Sequence, residues 1–165
     1  MTAPHKILVI GAGNPDRADD GIGAMVARRL GQLLPADVAV LTRSGDMLSL
    51  IDDWAAFDAV FCIDAAAPIG APGRVHRIDL TAGALPREIA LTSSHAFGLA
   101  EAIELAQALG LALPRIIVYA VEGRCFDAGA AMAPEVAATA GAIADRIIAE
   151  IATLRQEAGE VASHA

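Results

Sequence analysis

Three polar residues stand out because their side chains could together bind a transition metal ion: Asp20, Asp64 and His95. Two carboxylates would offset the charge of a divalent cation, and an imidazole would favour a nickel- or zinc-like ion over magnesium. Three protein ligands leave at least one coordination position for water or a substrate group. The three residues are far apart in the sequence, so only the fold can bring them together.

Each of these residues also has a purely structural interpretation. Asp20, or its neighbour Asp19, could be the N-cap of a helix, where the helix dipole favours its negative charge. Asp64 could simply end a strand and begin a turn. His95 could be a polar residue in the first turn of a helix that a preceding serine caps. The residue types alone leave these alternatives open.

Three other side chains are less favoured as site residues. Glu122 ends an apolar run and is predicted to be a solvated carboxylate, with orientation of a ligand as the alternative. Cys62 lies within an apolar run and is predicted to be a small buried residue. Cys125 lies in a loop, where a redox role is the less favoured interpretation. Two cysteines do not make a disulfide framework.

Short apolar runs alternate with segments of helical periodicity along the chain. The apolar runs predict strands at residues 7–10, 38–41, 59–63, 74–80 and 116–121. The run at 74–80 is the most polar, so we expect it nearest a sheet edge. The periodic segments predict helices that begin near residues 20, 47, 94 and 134. The last of these is predicted to be one helix with a frayed, disordered tail after Gly159.

This alternation predicts an α/β fold, a three-layer α/β/α sandwich with a twisted, mainly parallel sheet. A single domain over residues 1–165 is expected, because the sequence contains no linker or internal repeat. In such sheets, ligands bind beyond the carboxyl ends of the strands. The loops that carry Asp20, Asp64 and His95 should therefore converge on one crevice.

The composition argues against several classes of partner. The chain has 20 acidic and 12 basic residues, a net charge of −8, so it should not attract nucleic acid or an anionic membrane surface. No apolar run near the start is long enough for a secretory signal, and none elsewhere is long enough to span a bilayer. The predicted location is the cytoplasm.

The glycines of the first loop resemble a dinucleotide-binding motif, but the pattern is incomplete. Gly11 and Gly13 match the first two glycines of G-x-G-x-x-G, whereas Asp16 replaces the third, which that motif needs for close helix packing. The carboxylates of Asp16, Asp19 and Asp20 would also repel a pyrophosphate. No nicotinamide or flavin cofactor is therefore expected.

Several motifs, in order and at matching separations, resemble those of the hydrogenase maturation endopeptidases, and the similarity extends from Ile7 to about Ile151. The motifs are Ile7-Leu8-Val9-Ile10-Gly11-Ala12-Gly13-Asn14, Asp19-Asp20-Gly21-Ile22-Gly23, Ile63-Asp64-Ala65, Ser94-His95 followed by Gly98-Leu99, and Val121-Glu122-Gly123. The resemblance implies a single twisted α/β/α domain of the phosphorylase/hydrolase-like type. It also implies that Asp20, Asp64 and His95 contact a metal.

Two departures from the family pattern accompany this resemblance. Some members have glutamate where this chain has the shorter Asp20, which could alter the distance to a metal or the preference for one. The family often has an aspartate and a Gly-Thr pair after the second strand, where this chain reads Thr42-Arg43-Ser44-Gly45-Asp46. No role is therefore assigned to that segment.

The resemblance implies an endopeptidase that removes a C-terminal peptide from the nickel-loaded precursor of a NiFe hydrogenase large subunit. A bound metal could polarise the scissile carbonyl and activate water. Alternatively, Asp20, Asp64 and His95 could mainly grip the nickel that the precursor carries, so that only loaded precursor is cut. We favour the second mechanism, which leaves the nucleophile and general base unassigned, although Asp20 could serve as the base.

Two other functions are kept as alternatives. Peptidyl-tRNA hydrolases open with a similar Gly-x-Gly-Asn-Pro, as at residues 11–15, but they use a histidine shortly afterwards and a basic groove for tRNA. Here no histidine follows until His76, and the net charge is strongly negative. A nickel-binding chaperone that escorts the precursor without cutting it would carry the same site residues as the endopeptidase.

Overall fold

The computed structural model of the chain describes residues 5–44, 49–83 and 99–164. The strands in these ranges are β1 Ile7–Ala12, β2 Ala39–Arg43, β3 Ala59–Ala66, β4 Val75–Asp79 and β5 Arg115–Glu122. The helices are α1 Ile22–Leu33, α2 Ser49–Trp54, α3 Leu99–Ala108, α4 Pro134–Ala137 and α5 Ala140–Ser163, with a 3-10 helix at Ala18–Gly21 just before α1.

The strands form one sheet in the order β2-β1-β3-β5-β4. The pairs β1–β2, β1–β3 and β3–β5 are parallel, and β4 pairs antiparallel with β5 at the edge of the sheet. The prediction of a mainly parallel sheet with the polar strand at its edge is therefore confirmed. Because β1 and β3 lie inside the sheet and are covered on both faces, every residue in them is buried.

Two apolar clusters cover the two faces of the sheet. One cluster joins Ile7 and Val9 of β1 to α1 and α5, and the other joins Leu8 and Ile10 to α2 and α3. Alternate residues of one strand thus pack on opposite layers, as the period of two in a strand requires. The predicted α/β/α layering is confirmed.

The structure corrects two details of the sequence prediction. Strand β3 continues to Ala66, so Asp64 lies inside the strand and does not end it. The last helical segment is two helices, because Thr139 donates backbone and hydroxyl hydrogen bonds to the Val136 carbonyl in a tighter turn between α4 and α5. Helix α5 continues past Gly159 to Ser163, and a frayed, disordered tail after Gly159 stays a prediction. One glycine costs an exposed helix about 1 kcal/mol and does not end it.

Two of the predicted helices lie partly outside the described residues. The described parts, α2 and α3, agree with the predicted helices at 47–54 and 94–109. The segment that carries His95 lies outside the described residues. Within the described ranges, none of the helices combines the length and apolar character needed to cross a bilayer.

Candidate active site

Two glycines allow the start of α1 to lie directly on the sheet. A Cβ atom built on Gly23 would be 2.3 Å from the Ala12 carbonyl oxygen and 2.5 Å from the Ile63 carbonyl oxygen. A Cβ atom on Gly11 would be 2.2 Å from the Gly23 carbonyl oxygen. Such contacts are too short for any side chain, so glycine is required on both sides of this helix–strand contact. The close contact brings the 3-10 helix, with its two aspartates, to the carboxyl ends of β1 and β3.

Asp20 is buried in the 3-10 helix, and one of its oxygens faces the loop that follows β1. The backbone N–H of Asn14 donates to Asp20 Oδ2 at 2.9 Å. Gly13 has φ +115°, a conformation that favours glycine, and a Cβ there would be 2.2 Å from the Asp20 carbonyl oxygen. The loop is thus wrapped tightly around Asp20, which holds the carboxylate in a defined position.

Asp64 is fully buried near the carboxyl end of β3, opposite Ala120 of β5. Its Oδ1 accepts a hydrogen bond of 2.8 Å from the backbone N–H of Ala65. Burial raises the pKa of the Cys62 thiol, and the nearby charge of Asp64 raises it further. Cys62 is therefore a neutral, buried thiol, in agreement with its prediction as a small core residue.

The structure brings Asp20 and Asp64 to the same end of the sheet. The 3-10 helix contacts β3, and the Gly23–Ile63 approach joins the two segments next to both carboxylates. Two buried carboxylates at this edge could bind a cation or accept a proton. In the described ranges, no three His, Cys, Asp or Glu side chains are grouped so that they could hold a metal ion. His95, the third predicted ligand, lies outside those ranges.

Asp19 has a different role from its neighbour. Its Oδ2 accepts hydrogen bonds from the backbone N–H groups of Arg124 at 2.6 Å and Cys125 at 2.9 Å, and its Oδ1 accepts one from Ala133 at 2.7 Å. Its own N–H donates to the Cys125 carbonyl oxygen at 3.0 Å. Asp19 therefore fastens the segment after β5 to the 3-10 helix.

Neither aspartate is the N-cap of α1. The residue at that position is Gly21, and no side chain makes a capping hydrogen bond there. The N-cap interpretation of the two aspartates is therefore wrong. Asp19 could not have been assigned its role from the sequence, because its partners lie more than 100 residues away.

Glu122 is buried, and its prediction as a solvated carboxylate is wrong. Its Oε1 accepts hydrogen bonds from the backbone N–H groups of Ile69 at 2.7 Å and Ala71 at 2.6 Å. Burial acts to raise the pKa of Glu122, but the N–H groups of Ala71, Ile69 and Gly70, with the charge of Arg74, outweigh it and hold the pKa below its usual value. The carboxylate anchors the loop after β3. The signal available in the sequence was the glycine- and proline-rich loop at 68–73, whose N–H groups need acceptors.

An open groove lies beside this end of the sheet, between α1 and the edge strand β2. Its volume is about 490 Å³, and it begins at Gly13 and Pro15 in the loop around Asp20. We refer to it as the α1–β2 groove. It is lined by Gly13, Pro15, Ala24, Ala27, Arg28, Gly31 and residues 40–44.

Several solved structures share this fold. They include the hydrogenase maturating endopeptidase HybD from Escherichia coli, 23% identical over 90% of this chain and 93% of its own, with a TM-score of 0.72. The [NiFe] hydrogenase maturation protease HycI from Thermococcus kodakarensis is 24% identical over 91% of this chain and 94% of its own, with a TM-score of 0.67. A hydrogenase 2 maturation peptidase from a Thaumarchaeota archaeon is 21% identical over 89% and 98%, with a TM-score of 0.64.

Sequence comparison adds nothing to this likeness, since no family model and no curated protein matches the chain. The resemblance to the hydrogenase maturation endopeptidases is therefore confirmed at the level of the fold. It covers about nine-tenths of the chain.

Proposed function

We propose that this chain is a hydrolase, an endopeptidase that removes a C-terminal peptide from the nickel-loaded precursor of a NiFe hydrogenase large subunit. The observation that carries the proposal is the pair of buried carboxylates, Asp20 and Asp64, at the carboxyl end of the sheet. Solved structures that share the fold bear the names of hydrogenase maturation proteases, which supports the same reaction class. The predicted location remains the cytoplasm.

In this proposal, Asp20 and Asp64 act with His95 on the nickel that the substrate brings. Two carboxylates offset the charge of a divalent cation, and an imidazole favours a nickel-like ion. Recognition of that ion makes cleavage depend on nickel insertion, so the apo precursor is left intact. A resident metal that polarises the scissile carbonyl is the alternative form of the same mechanism.

The described side chains limit which groups can attack the peptide bond. Cys62 is buried as a neutral thiol, so it is not the nucleophile. Asp19 accepts three backbone hydrogen bonds and Glu122 accepts two, so the proposal gives both carboxylates a structural role. Within the proposal, Asp20 contacts the nickel of the precursor together with Asp64 and His95, and it also serves as the general base toward a water molecule.

A cleavage assay tests this function directly. Purified protein is incubated with nickel-loaded and nickel-free large-subunit precursor, and the C-terminal mass of each product is measured. We expect the loaded precursor to be shortened and the nickel-free precursor to remain intact. If the loaded precursor binds but survives intact, the protein is a nickel-dependent chaperone and the endopeptidase proposal is wrong.

A further inference from the structure

We propose that the C-terminal segment of the precursor docks in the α1–β2 groove as an extended chain, adding a sixth strand to the edge of β2. This inference rests on the proposed function for the identity of the segment. The docking surface itself is argued from the geometry of β2, the size of the groove, its connection to Asp20 and its charge.

The outer edge of β2 presents backbone groups that can pair with another strand. The N–H of Gly13 donates to the Arg43 carbonyl oxygen at 2.9 Å, so the backbone groups of Arg43 and Leu41 point toward β1. Successive residues of a strand point these groups to opposite sides, so those of Val40 and Thr42 point away from the sheet. Among the described residues, no strand pairs with this edge. An extended peptide can therefore bind here by β-strand addition.

The groove has the dimensions that an extended peptide needs. Its helical wall consists of small residues at one face of α1, Ala24, Ala27 and Gly31, together with Arg28. No atom lies within 4 Å of a Cβ built on Gly31, so this wall is open. Residues 40–44 form the other wall, which at about 3.3 Å per residue accommodates four or five residues of extended chain.

The groove leads directly to the candidate active site. Gly13 lines its end, and the same residue lies against the Asp20 backbone. A peptide added to β2 would run parallel or antiparallel to β1. The loop that follows the carboxyl end of β1 donates a hydrogen bond from Asn14 to Asp20. The bond next to the docked segment is therefore delivered to the carboxylate pair.

The charge of the groove fits an acidic segment. The chain as a whole carries a net charge of −8, yet two arginines line this groove. Arg43 is neutralised by Asp53, whose two oxygens each accept a hydrogen bond of 2.7 Å from its guanidinium. Arg28 makes no ion pair within the described parts of the chain. We therefore expect an acidic side chain of the docked segment to meet Arg28.

The first test fills the groove. Gly31→Trp places a large side chain in the open space, whereas Gly31→Ala leaves the groove open and is the matched control. With nickel-loaded precursor, we expect Gly31→Trp to raise KM by roughly ten-fold or more with little change in kcat, because docking and not chemistry is blocked. Gly31→Ala, which adds only a methyl group to the same wall, should raise KM far less than Gly31→Trp does. A wild-type KM for Gly31→Trp overturns the docking site.

The second test removes the outward N–H of β2. Thr42→Pro deletes that donor and leaves the β1–β2 hydrogen bonds in place, since an edge strand tolerates proline where its N–H points outward. Loss of one backbone hydrogen bond to the peptide should raise KM by roughly ten-fold, while Thr42→Ala, which keeps the N–H, should raise it less. Circular dichroism verifies that both variants are folded. An unchanged KM in folded Thr42→Pro contradicts strand addition.

The third test reverses the charge of Arg28, with Arg29→Glu as a control one residue along the same helix and outside the groove. Arg28→Glu should raise KM several-fold more than Arg29→Glu does, and the difference should shrink at high salt. Equal effects of the two variants would overturn the charge match with an acidic segment.

Peptide binding separates this inference from the proposed function. A fluorescent synthetic peptide with the C-terminal sequence of the precursor is titrated with wild type and with Gly31→Trp, and its anisotropy is measured. If the wild type cleaves but Gly31→Trp binds and cleaves equally well, the docking site is wrong and the endopeptidase stands. If the wild type does not cleave yet binds the peptide and Gly31→Trp does not, the docking site stands and the endopeptidase is wrong.

Discussion

At the scale of single residues, two adjacent aspartates of the same charge have different roles. Asp19 accepts hydrogen bonds from three backbone N–H groups of the segment after β5. Asp20, the next residue of the 3-10 helix, accepts one from Asn14 in the loop that follows β1. A carboxylate that accepts three backbone hydrogen bonds is a structural group, because its charge is already satisfied. Mutation of each aspartate should therefore affect a different property of the protein.

For Asp19→Asn we expect a loss of stability with little loss of chemistry. Asparagine has one acceptor oxygen, so its amide group would face backbone donors that Asp19 now satisfies. The free energy of unfolding should fall by about 2–4 kcal/mol. Urea unfolding measures this loss, and the cleavage rate per folded molecule should stay close to that of the wild type.

For Asp20→Asn and Asp64→Asn we expect the opposite result. Each change keeps the shape of the side chain and removes the charge that would meet nickel or accept a proton. Cleavage should fall by roughly 10²–10⁴-fold, with a much smaller change in urea stability than Asp19→Asn shows. His95→Ala should abolish cleavage without unfolding the protein. Wild-type cleavage by any one of these variants would remove that residue from the site.

At the scale of the elements, backbone contacts hold the loops in place. Gly11 and Gly23 let the start of α1 lie against β1 and β3, and Glu122 at the end of β5 holds the loop after β3. The first contact joins a helix to two strands, and the second joins a strand to the backbone of a loop. The position of the carboxylate pair therefore depends on residues that never touch a substrate.

The Gly23 contact predicts opposite effects for two alanine substitutions in one helix. Gly23→Ala would place its Cβ against two backbone carbonyl oxygens that cannot move aside. The free energy of unfolding should therefore fall by about 3 kcal/mol or more. Gly31→Ala meets open space and should stabilise the protein by about 0.5–1 kcal/mol. Thermal and urea unfolding measure both changes, and equal effects would contradict the close packing described here.

Glu122 predicts a pH dependence of stability. Its pKa is lower in the folded protein than its usual value of 4.5, so the folded state binds the proton less tightly than the unfolded chain does. Its contribution is therefore fully present above about pH 4.5 and is lost as the pH falls toward the folded pKa. Urea unfolding at several pH values should show a shallower acid loss of stability for Glu122→Gln than for the wild type. An unchanged slope would mean that Glu122 does not stabilise the fold through its charge.

At the scale of the whole molecule, fold and surface charge limit the substrate. The chain shares its fold with maturation proteases at 21–24% identity, so the layered architecture persists where few residues match. Its net charge of −8 opposes binding to a polyanion. Arg28 in the α1–β2 groove is a local exception, next to the proposed site of cleavage.

This charge predicts that peptidyl-tRNA is not a substrate. A tRNA brings many phosphates to a chain with a net charge of −8, so binding should be weak even at low salt. Release of the peptide from a labelled peptidyl-tRNA measures the activity, and no turnover above background is expected. Measurable turnover would favour the alternative hydrolase over the endopeptidase.

The sequence by itself determined the layered α/β architecture, the edge position of β4 and the segments that carry Asp20 and Asp64. It could do so because strands buried on both faces must be apolar at every position, as in residues 7–10 and 59–63, and because parallel strands send their carboxyl ends to one edge. Only the tertiary structure decided that Asp19 is structural, that Glu122 is buried and that a groove lies open beside β2. The roles of Asp19 and Glu122 depend on which backbone N–H groups lie within hydrogen-bonding distance of their carboxylates. Those partners are up to 114 residues away in the chain.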